Sequence, residues 1–336
     1  MLDLVDQAVV AGWTLQRACR VLGLDERRER RWEQRRAAGL LADRPGGGHP
    51  VHALMPSEVE AILCLEAEWG ETDGSHRKLA HRGSYLGQVW VSPATVFRVL
   101  AAYGRVLPHR PRPEPRTKTP WPDWVSYRPN MVWGYDLTSF PVARCQVAAI
   151  LDLVSRKWIA HLICTEATST QVQVLFTQAL EAEALLDEMC ARIDGLADPA
   201  RPRSDQPVLL AVSDNGAQMT SGSTREFMAL HAIATHFGRP GVPTDQAPIE
   251  SFLGHLKTES PHLAAIEDPA ALSVELDAIR DRYNGVRLHA GIGYVTPDDE
   301  HQGRGAAIRQ ARRGGLRRAR RRRIAYHRKH RNQPPT

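Results

Sequence analysis

Three acidic residues stand out because of the segments that surround them. Asp136 lies within the strand-like segment MVWGYDLTSF, and Asp214 directly follows the apolar segment PVLLAVS. Glu250 lies near the start of the helix-like segment DQAPIESFLGHLK, and 35 residues separate it from Asp214. Carboxylates from separate elements can hold a pair of magnesium ions, which prefer hard oxygen ligands and keep several waters. Two such ions, about 3.5–4 Å apart, activate one oxygen and stabilise another during phosphodiester chemistry.

Each carboxylate also has a structural interpretation. A buried aspartate in an apolar strand is costly without compensation, so metal ligation is the better interpretation of Asp136. Asp214 begins Asp-Asn-Gly, a common turn signal, and the helix dipole favours an acid such as Glu250 in a first turn. Two neighbours compete with the three: Asp245 is better placed to cap the helix, and Asp152 is expected to be exposed at a strand end.

Four segments, in this order, resemble the conserved blocks of DDE transposases with a retroviral-integrase-like core, especially those of bacterial insertion sequences. They are WGYDLTSF, SDNGAQMTS, GVPTDQAPIESFLGHLKTES and RYNGVRLHAGIGYVTPDD, within roughly residues 125–300. The resemblance implies that Asp136, Asp214 and Glu250 are catalytic residues that bind two Mg²⁺ ions, with Mn²⁺ as a substitute. It also implies that Lys257, two helical turns after Glu250, holds the DNA backbone near the metals.

The resemblance implies a DNA transposase that cleaves transposon ends and transfers the 3′ hydroxyl into target DNA during integration and recombination. Its partners would be double-stranded DNA, as transposon ends and target, and further copies of the chain in a dimer or larger paired-end complex. Two alternatives stay open: a sequence-specific DNA-binding protein with an inactive core, and a ribonuclease-H-like nuclease without joining activity. The presence of all three carboxylates counts against the first alternative.

The core is expected to occupy residues 131–300. From Met131 onward the hydrophobic pattern predicts three strands in a meander, followed by alternating helices and strands in the order βββαβαβα. The pattern alone predicts a mixed α/β domain. The resemblance makes it a ribonuclease-H-like core, in which a mixed five-stranded sheet is flanked by helices. All-α modules are expected before this core and a basic tail after it.

The first all-α module is expected in residues 1–44. Two helices flank Gly23, and Asp25 is placed to cap the second, which is the arrangement of a helix-turn-helix. The second helix carries many arginines, so it is the candidate recognition helix for a DNA groove. Its candidate DNA-binding residues are Arg27, Arg28, Arg31 and Arg35. The alternative is an amphipathic surface helix with a solvated charged face.

A second helical module, also helix-turn-helix-like, is expected in residues 51–104. Ser92 followed by Pro93 is a strong signal for a helix start. Thr95 and Arg98 lie on the helix that follows and are its candidate DNA-binding residues. The alternative here is a purely packing role. Because a plain nuclease does not need to find specific ends, two such modules favour a transposase.

Charge is distributed unevenly along the chain. The net charge is +6, yet residues 303–336 hold 13 Arg and Lys and no acid, whereas the rest holds 31 basic and 38 acidic residues. Like-charged blocks are disordered alone and favour phosphate contacts, so we expect a disordered tail that binds DNA. Its candidates are Arg320, Arg321, Arg322 and Arg323. The alternative is a solvated extension, and Pro/Arg-rich residues 105–130 are expected to form an extended linker.

Other features narrow the class of protein. No apolar run reaches the roughly 18–20 residues of a membrane span, and the N-terminal segment does not have the pattern of a secretory signal. We therefore expect a cytoplasmic protein that is not associated with a membrane, and the resemblance implies the bacterial cytoplasm and association with the nucleoid. The five cysteines form no CxxC pair, which argues against a disulfide framework and a structural zinc site. Arg287, in the fourth block, is expected to pack or to position DNA.

Overall fold

The chain divides into two compact units, Met1–Ala53 and Leu54–Thr336. The computed structural model describes residues 1–39, 41, 50–105, 121–187, 207–214, 216–237 and 247–330. Among these residues, no helix is both long enough and apolar enough to cross a bilayer.

The N-terminal unit is helical. Its elements are α1 (Leu2–Val10), α2 (Leu15–Val21) and α3 (Glu26–Ala37). Asp25 accepts hydrogen bonds from the backbone N–H groups of Arg27 and Arg28, at 2.9 and 3.2 Å, so it caps α3 as predicted. Gly23 takes a left-handed φ of 64° between the two helices. Leu24 and Ala18 are buried in a small core shared by the three helices.

The larger unit begins with three helices that we call the helical module, residues 54–105. They are α4 (Pro56–Trp69), α5 (His76–Tyr85) and α6 (Pro93–Ala102). Ser92 accepts a hydrogen bond from the Thr95 N–H at 3.2 Å, which confirms the predicted helix start. Gly83 allows the helices to approach closely, because a Cβ there would lie 2.7 Å from Val89 and 2.8 Å from Leu65.

A five-stranded mixed sheet follows. Its strands are β1 (Val132–Phe140), β2 (Cys145–Asp152), β3 (Trp158–Cys164), β4 (Leu209–Ser213) and β5 (Ile233–Phe237). The spatial order is β3-β2-β1-β4-β5, with antiparallel pairing from β3 to β1 and parallel pairing from β1 to β5. This meander joined to parallel strands is the ribonuclease-H-like topology, so the predicted fold class is confirmed.

Helices cover both faces of the sheet. They are α7 (Ser169–Ala182), α8 (Ala217–Thr220), α9 (Gly222–Leu230), α10 (Ala247–Glu259) and α11 (Pro269–Gly285). Because side chains alternate along a strand, Trp133 and Tyr135 of β1 pack with Phe176 of α7 on one face. Val132 packs on the other face, in a cluster that includes Phe252 of α10.

The segment before β1 belongs partly to the core. Residues 106–120 of the expected linker lie outside the described residues. Val125, however, is buried in the cluster with α10, and Trp121 and Trp124 pack against that cluster. The part of the expected linker from Trp121 to Val125 therefore packs against the core.

The expected disordered tail is largely helical, which corrects the sequence prediction. After α12 (Pro297–His301) the chain forms α13 (Gly305–Lys329), a 25-residue helix. Gly315 and Ala319, one helical turn apart, are buried. Like-charge repulsion predicts disorder for an isolated segment. Because α13 packs against the rest of the larger unit, its helical conformation is stabilised. Residues 331–336 lie outside the described residues.

Candidate active site

Asp136, within β1, and Asp214, directly after β4, lie side by side on neighbouring strands. Gly134 of β1 pairs with Val212 of the parallel strand β4. Each aspartate lies two residues beyond its member of this pair, so both have the same height on neighbouring strands. Adjacent strands lie about 4.8 Å apart. Two carboxylates predicted from separate segments are therefore brought together by strand register.

Glu250 reaches the same region from a helix. It lies in the first turn of α10, next to the buried Ile249. A Cβ added at Gly134 would lie 3.4 Å from the Ile249 Cβ, so the missing side chain at Gly134 lets α10 lie close against β1. The expected cap Asp245 lies outside the described residues.

The three carboxylates act on one another electrostatically. Burial, together with the negative charges of Asp214 and Glu250, raises the pKa of Asp136 to about 6. A hydrogen bond of 2.7 Å from the Leu137 N–H to Asp136 Oδ1 partly opposes this rise. Desolvation and like charges disfavour the ionised carboxylate, and a cation bound nearby would reverse both effects.

The donor set fits a hard cation in an open site. Among the described residues, no three His, Cys, Asp or Glu side chains are arranged to enclose a metal ion unaided. Magnesium does not require such enclosure, because it keeps several waters and shares substrate phosphates with one or two carboxylates. Asp214 and Glu250 are exposed and Asp136 is half-buried, so the three carboxylates are accessible from solvent.

Gly216 positions the Asp214 side chain. Its N–H donates to Asp214 Oδ1 at 3.0 Å. Its φ of −55° is one that any residue adopts, so the backbone conformation does not require glycine here. Glycine fits here because a Cβ would lie 3.0 Å from Asp214 Oδ1 and 2.7 Å from the Gln218 amide nitrogen. Asn215 lies outside the described residues.

Asp152, the competitor of Asp136, is fully buried, which corrects the expectation that it is exposed. It accepts hydrogen bonds from the backbone N–H groups of Asn130, Val154 and Ser155. Burial raises its pKa, and these donors oppose the rise. The carboxylate therefore holds the turn between β2 and β3 and connects it to the segment before β1.

A buried polar network adjoins this turn, and the sequence analysis did not find it. Glu183 accepts from Lys157 Nζ at 2.7 Å and from the Asn130 side chain at 2.9 Å, and it lies 2.6 Å from His301 Nε2. His301 Nδ1 lies 2.9 Å from Ser155 Oγ. Although these groups have the chemical types of a hydrolase triad, Ser155 is fully buried. The network therefore joins α12 to the core.

Lys257 lies at the end of β1. Its Nζ donates to the Ser139 carbonyl at 3.2 Å and lies 5.5 Å from the centre of the Phe140 ring. These contacts hold an exposed cation on the strand that carries Asp136. The position is compatible with the DNA-backbone contact that the resemblance implies.

Residues of the fourth block pack within the protein. Arg287 donates to Glu259 at 2.7 Å and lies over the Tyr283 ring, which favours a packing role over DNA contact. The buried Asn284 side chain accepts from the Trp158 N–H and donates to the Trp158 carbonyl, each at 2.9 Å, so it satisfies the edge strand β3. Burial lowers the pKa of His289 to about 3, so that side chain is neutral near pH 7.

The expected DNA-binding residues of the two helical segments differ in solvent exposure and in the partners that they already contact. On α3, Arg27, Arg28 and Arg31 are exposed, whereas Arg35 is half-buried and has a partner. In the helical module, Arg98 is exposed and donates to Thr95 Oγ1 at 3.3 Å. Thr95 Oγ1 also lies 2.9 Å from Ser92 Oγ, so this side chain takes part in the helix start.

Comparisons with known proteins identify the domain that carries these residues. Two family models, both described as integrase core domain, match residues 126–243 and 231–297. The transposase for insertion sequence element IS904 of Lactococcus lactis subsp. lactis (strain IL1403) is 28% identical over 174 residues, which are 51% of this chain and 61% of the relative. The insertion element IS600 uncharacterized 31 kDa protein of Shigella sonnei is 30% identical over 129 residues, 38% and 47% of the two chains.

Among solved structures, the catalytic core domain of BIV integrase aligns with a TM-score of 0.37 and 18% identity over 53% of this chain and 97% of that one. The fold assignment therefore rests on the strand order and the family matches. The chain spans less than two thirds of the curated relatives named above. The two matches together run from residue 126 to 297, so this part of the chain is an integrase core domain, and its sequence is similar to those of bacterial insertion-sequence transposases.

Proposed function

We propose that this protein is a DDE transposase, which cleaves DNA at the ends of its element and transfers the 3′ hydroxyl into target DNA. The observation that carries the proposal is the register of Asp136 and Asp214 on neighbouring parallel strands, with Glu250 brought beside them by α10. Integrase core proteins depend on a metal, and this convergence of acidic side chains is compatible with that requirement.

Asp136, Asp214 and Glu250 would hold two Mg²⁺ ions, with Mn²⁺ as a substitute. When bound, the metal supplies an activated water or hydroxyl and stabilises the leaving oxygen of the phosphodiester. The half-buried Asp136 fixes the position of the site because β1 is rigid, and the exposed Asp214 and Glu250 leave room for substrate oxygens. Lys257 holds a backbone phosphate nearby. The reaction requires no covalent protein–DNA intermediate, so a serine or tyrosine nucleophile has no role.

Recognition of the element ends belongs to the helical segments. Arg27, Arg28 and Arg31 of α3 and Arg98 of α6 present exposed guanidinium groups on helices that follow a capped turn. Arginine on such a helix can donate two hydrogen bonds to guanine in the major groove. Because two ends must be joined, the active assembly contains two or more copies of the chain. This assembly would act in the bacterial cytoplasm, in association with the nucleoid.

The test is an assay on a duplex that carries the element's own end, in Mg²⁺ and in EDTA. We expect nicking and joining in Mg²⁺, no reaction in EDTA, and no reaction with Glu250→Gln. Glu226→Gln is the matched control, because it neutralises an exposed glutamate on α9 that lies outside the proposed site.

The remaining outcomes of this assay separate the alternatives. Nicking without joining would favour a nuclease. Binding without cleavage in any divalent metal would favour a DNA-binding protein with an inactive core. Full activity of Glu250→Gln would contradict the assignment of that residue as a ligand.

A further inference from the structure

The basic helix α13 has one face that is docked within the larger unit. A Cβ at Gly315 would collide with the indole of Trp90, so the helix lies directly against the turn before α6. Arg323 donates to Glu58 at 2.8 Å and to the Trp90 carbonyl at 2.7 Å. These contacts fix the C-terminal half of α13 to the helical module.

The same face also contacts the integrase core. Arg312 donates to Ser84 Oγ at 3.0 Å, and to the carbonyls of Gly293 and Tyr294 at 2.9 and 2.7 Å. Arg309 pairs with Glu300 at 2.7 Å. The docked arginines therefore have acceptors, and α13 ties the helical module to the segment that follows α11.

The part of α13 that is not docked is strongly cationic. It presents eight exposed cations: Arg313, Arg317, Arg318, Arg320, Arg321, Arg322, Arg328 and Lys329. Within the described part of the chain none of them has an ion pair, and α13 contains no acidic residue. Like charges on neighbouring helical turns repel, so the face is electrostatically unfavourable without a polyanion.

The length and composition of this face favour DNA over a lipid surface as the polyanion. A 25-residue helix is about 37 Å long, close to the roughly 34–36 Å of one B-DNA turn. A helix that lies on a lipid surface needs an apolar face to insert. In α13 the one large hydrophobic side chain that is exposed is Leu316, and the small residues Gly315 and Ala319 are docked. The helix therefore has no exposed apolar face that could insert into a lipid surface.

We propose that the outer face of α13 is a DNA-backbone contact surface that is not specific for sequence, while its docked face holds the helical module against the core. This inference deepens the proposed function and rests on it for the identity of the polyanion. It replaces the expected contact set of Arg320 to Arg323, because Arg323 lies on the docked face, and it adds Arg313, Arg317, Arg318, Arg328 and Lys329.

The experiment measures the salt dependence of binding by the full chain to a random-sequence duplex of about three helical turns. The test variant combines Arg313→Gln, Arg317→Gln, Arg320→Gln and Arg321→Gln. Each lost phosphate contact lowers the magnitude of the slope of log K against log salt by about 0.9. We therefore expect a decrease of about 3 to 4 in that magnitude, and recovery when the same four positions carry lysine.

Two controls give the result its meaning. A variant with glutamine at the exposed Arg128, Arg144, Arg225 and Arg282, which lie outside α13, should keep the wild-type slope. Arg323→Gln should lower thermal stability while changing the slope by about one at most. A wild-type slope in the four-residue α13 variant would overturn the proposal, and so would binding to phosphatidylserine vesicles in preference to DNA at the same salt concentration.

Failure of this inference is distinguishable from failure of the proposed function. The slope is measured on random DNA without cleavage, so it is independent of the metal site. If the α13 variant keeps the wild-type slope while Glu250→Gln abolishes cleavage, the transposase assignment stands and the α13 surface is rejected. If the wild-type protein does not cleave but the slope falls as expected, the surface stands without the enzyme.

Discussion

Asp136 and Asp152 lie on the same pair of strands, Asp136 in the middle of β1 and Asp152 at the end of β2, and their carboxylates are stabilised in two different ways. Asp136 pairs with Ala149, and Asp152 pairs with Trp133. Asp152 is fully buried but accepts hydrogen bonds from three backbone N–H groups. In the described structure the backbone offers Asp136 the Leu137 N–H, and two further carboxylates lie near it. The protein itself satisfies Asp152, whereas the Asp136 site is suited to an external cation.

Replacement of Asp136 gives the largest expected effect on activity. Asp136→Asn removes a proposed metal ligand and should lower cleavage at least about a thousandfold, because metal stabilisation is worth several kcal/mol and roughly 1.4 kcal/mol is a factor of ten. Stability should stay equal or rise, since a half-buried charge with like-charged neighbours is removed. Initial cleavage rates and denaturant unfolding on the same preparation check both statements. Unchanged cleavage would remove Asp136 from the site.

Replacement of Asp152 should lower stability and leave the cleavage activity of the folded protein intact. Asp152→Ala leaves three backbone N–H donors without their acceptor, one of them buried and two partly buried, and each unsatisfied buried group costs about 1–3 kcal/mol. We expect a loss of roughly 3 kcal/mol or more in the free energy of unfolding, while the folded fraction still cleaves. Asp152→Asn is the milder variant, because it keeps one acceptor oxygen. A stable Asp152→Ala protein without cleavage activity would contradict the structural role of Asp152 and would favour a role in the reaction.

The pH dependence of stability tests the network beside Asp152, with a smaller effect. Burial alone would raise the pKa of Glu183, but hydrogen bonds from His301, Lys157 and Asn130 outweigh it and lower the pKa to about 2, below the ordinary 4.5. A depressed pKa stabilises the fold above the unfolded value. This contribution should therefore be present above pH 4.5 and lost as the pH falls toward 2.

Glu183→Gln is the variant that isolates this contribution. The difference in unfolding free energy between wild type and Glu183→Gln should shrink over that pH interval. A constant difference from pH 7 to pH 3 would show that the Glu183 charge does not stabilise the fold.

The sequence predicts what local patterns determine. Alternation and apolar runs give the strands of the core, and Asp25 and Ser92 mark helix starts correctly because capping depends on adjacent residues. The resemblance of four blocks leads to Asp136 and Asp214, and the structure adds the strand register that places them at one height.

What the sequence misses depends on distant contacts. Asp152 was expected to be exposed because a strand end usually is, yet Asn130 and the turn residues bury it. Ser155, Glu183 and His301 are far apart in sequence and share no motif, so no spacing indicated their network. The tail was expected to be disordered from its charge alone. Its docked face does have a local signal in the sequence, because the small residues Gly315 and Ala319 lie one helical turn apart.

The location of bound metal tests the central claim most directly. Crystals soaked in Mn²⁺ would be measured near the manganese absorption edge, with Asp136→Asn crystals as the control. The account predicts anomalous density between Asp136, Asp214 and Glu250 that the substitution removes or weakens. Density only elsewhere in the molecule, or equal density at this site in both crystals, would contradict a metal site built on these three carboxylates.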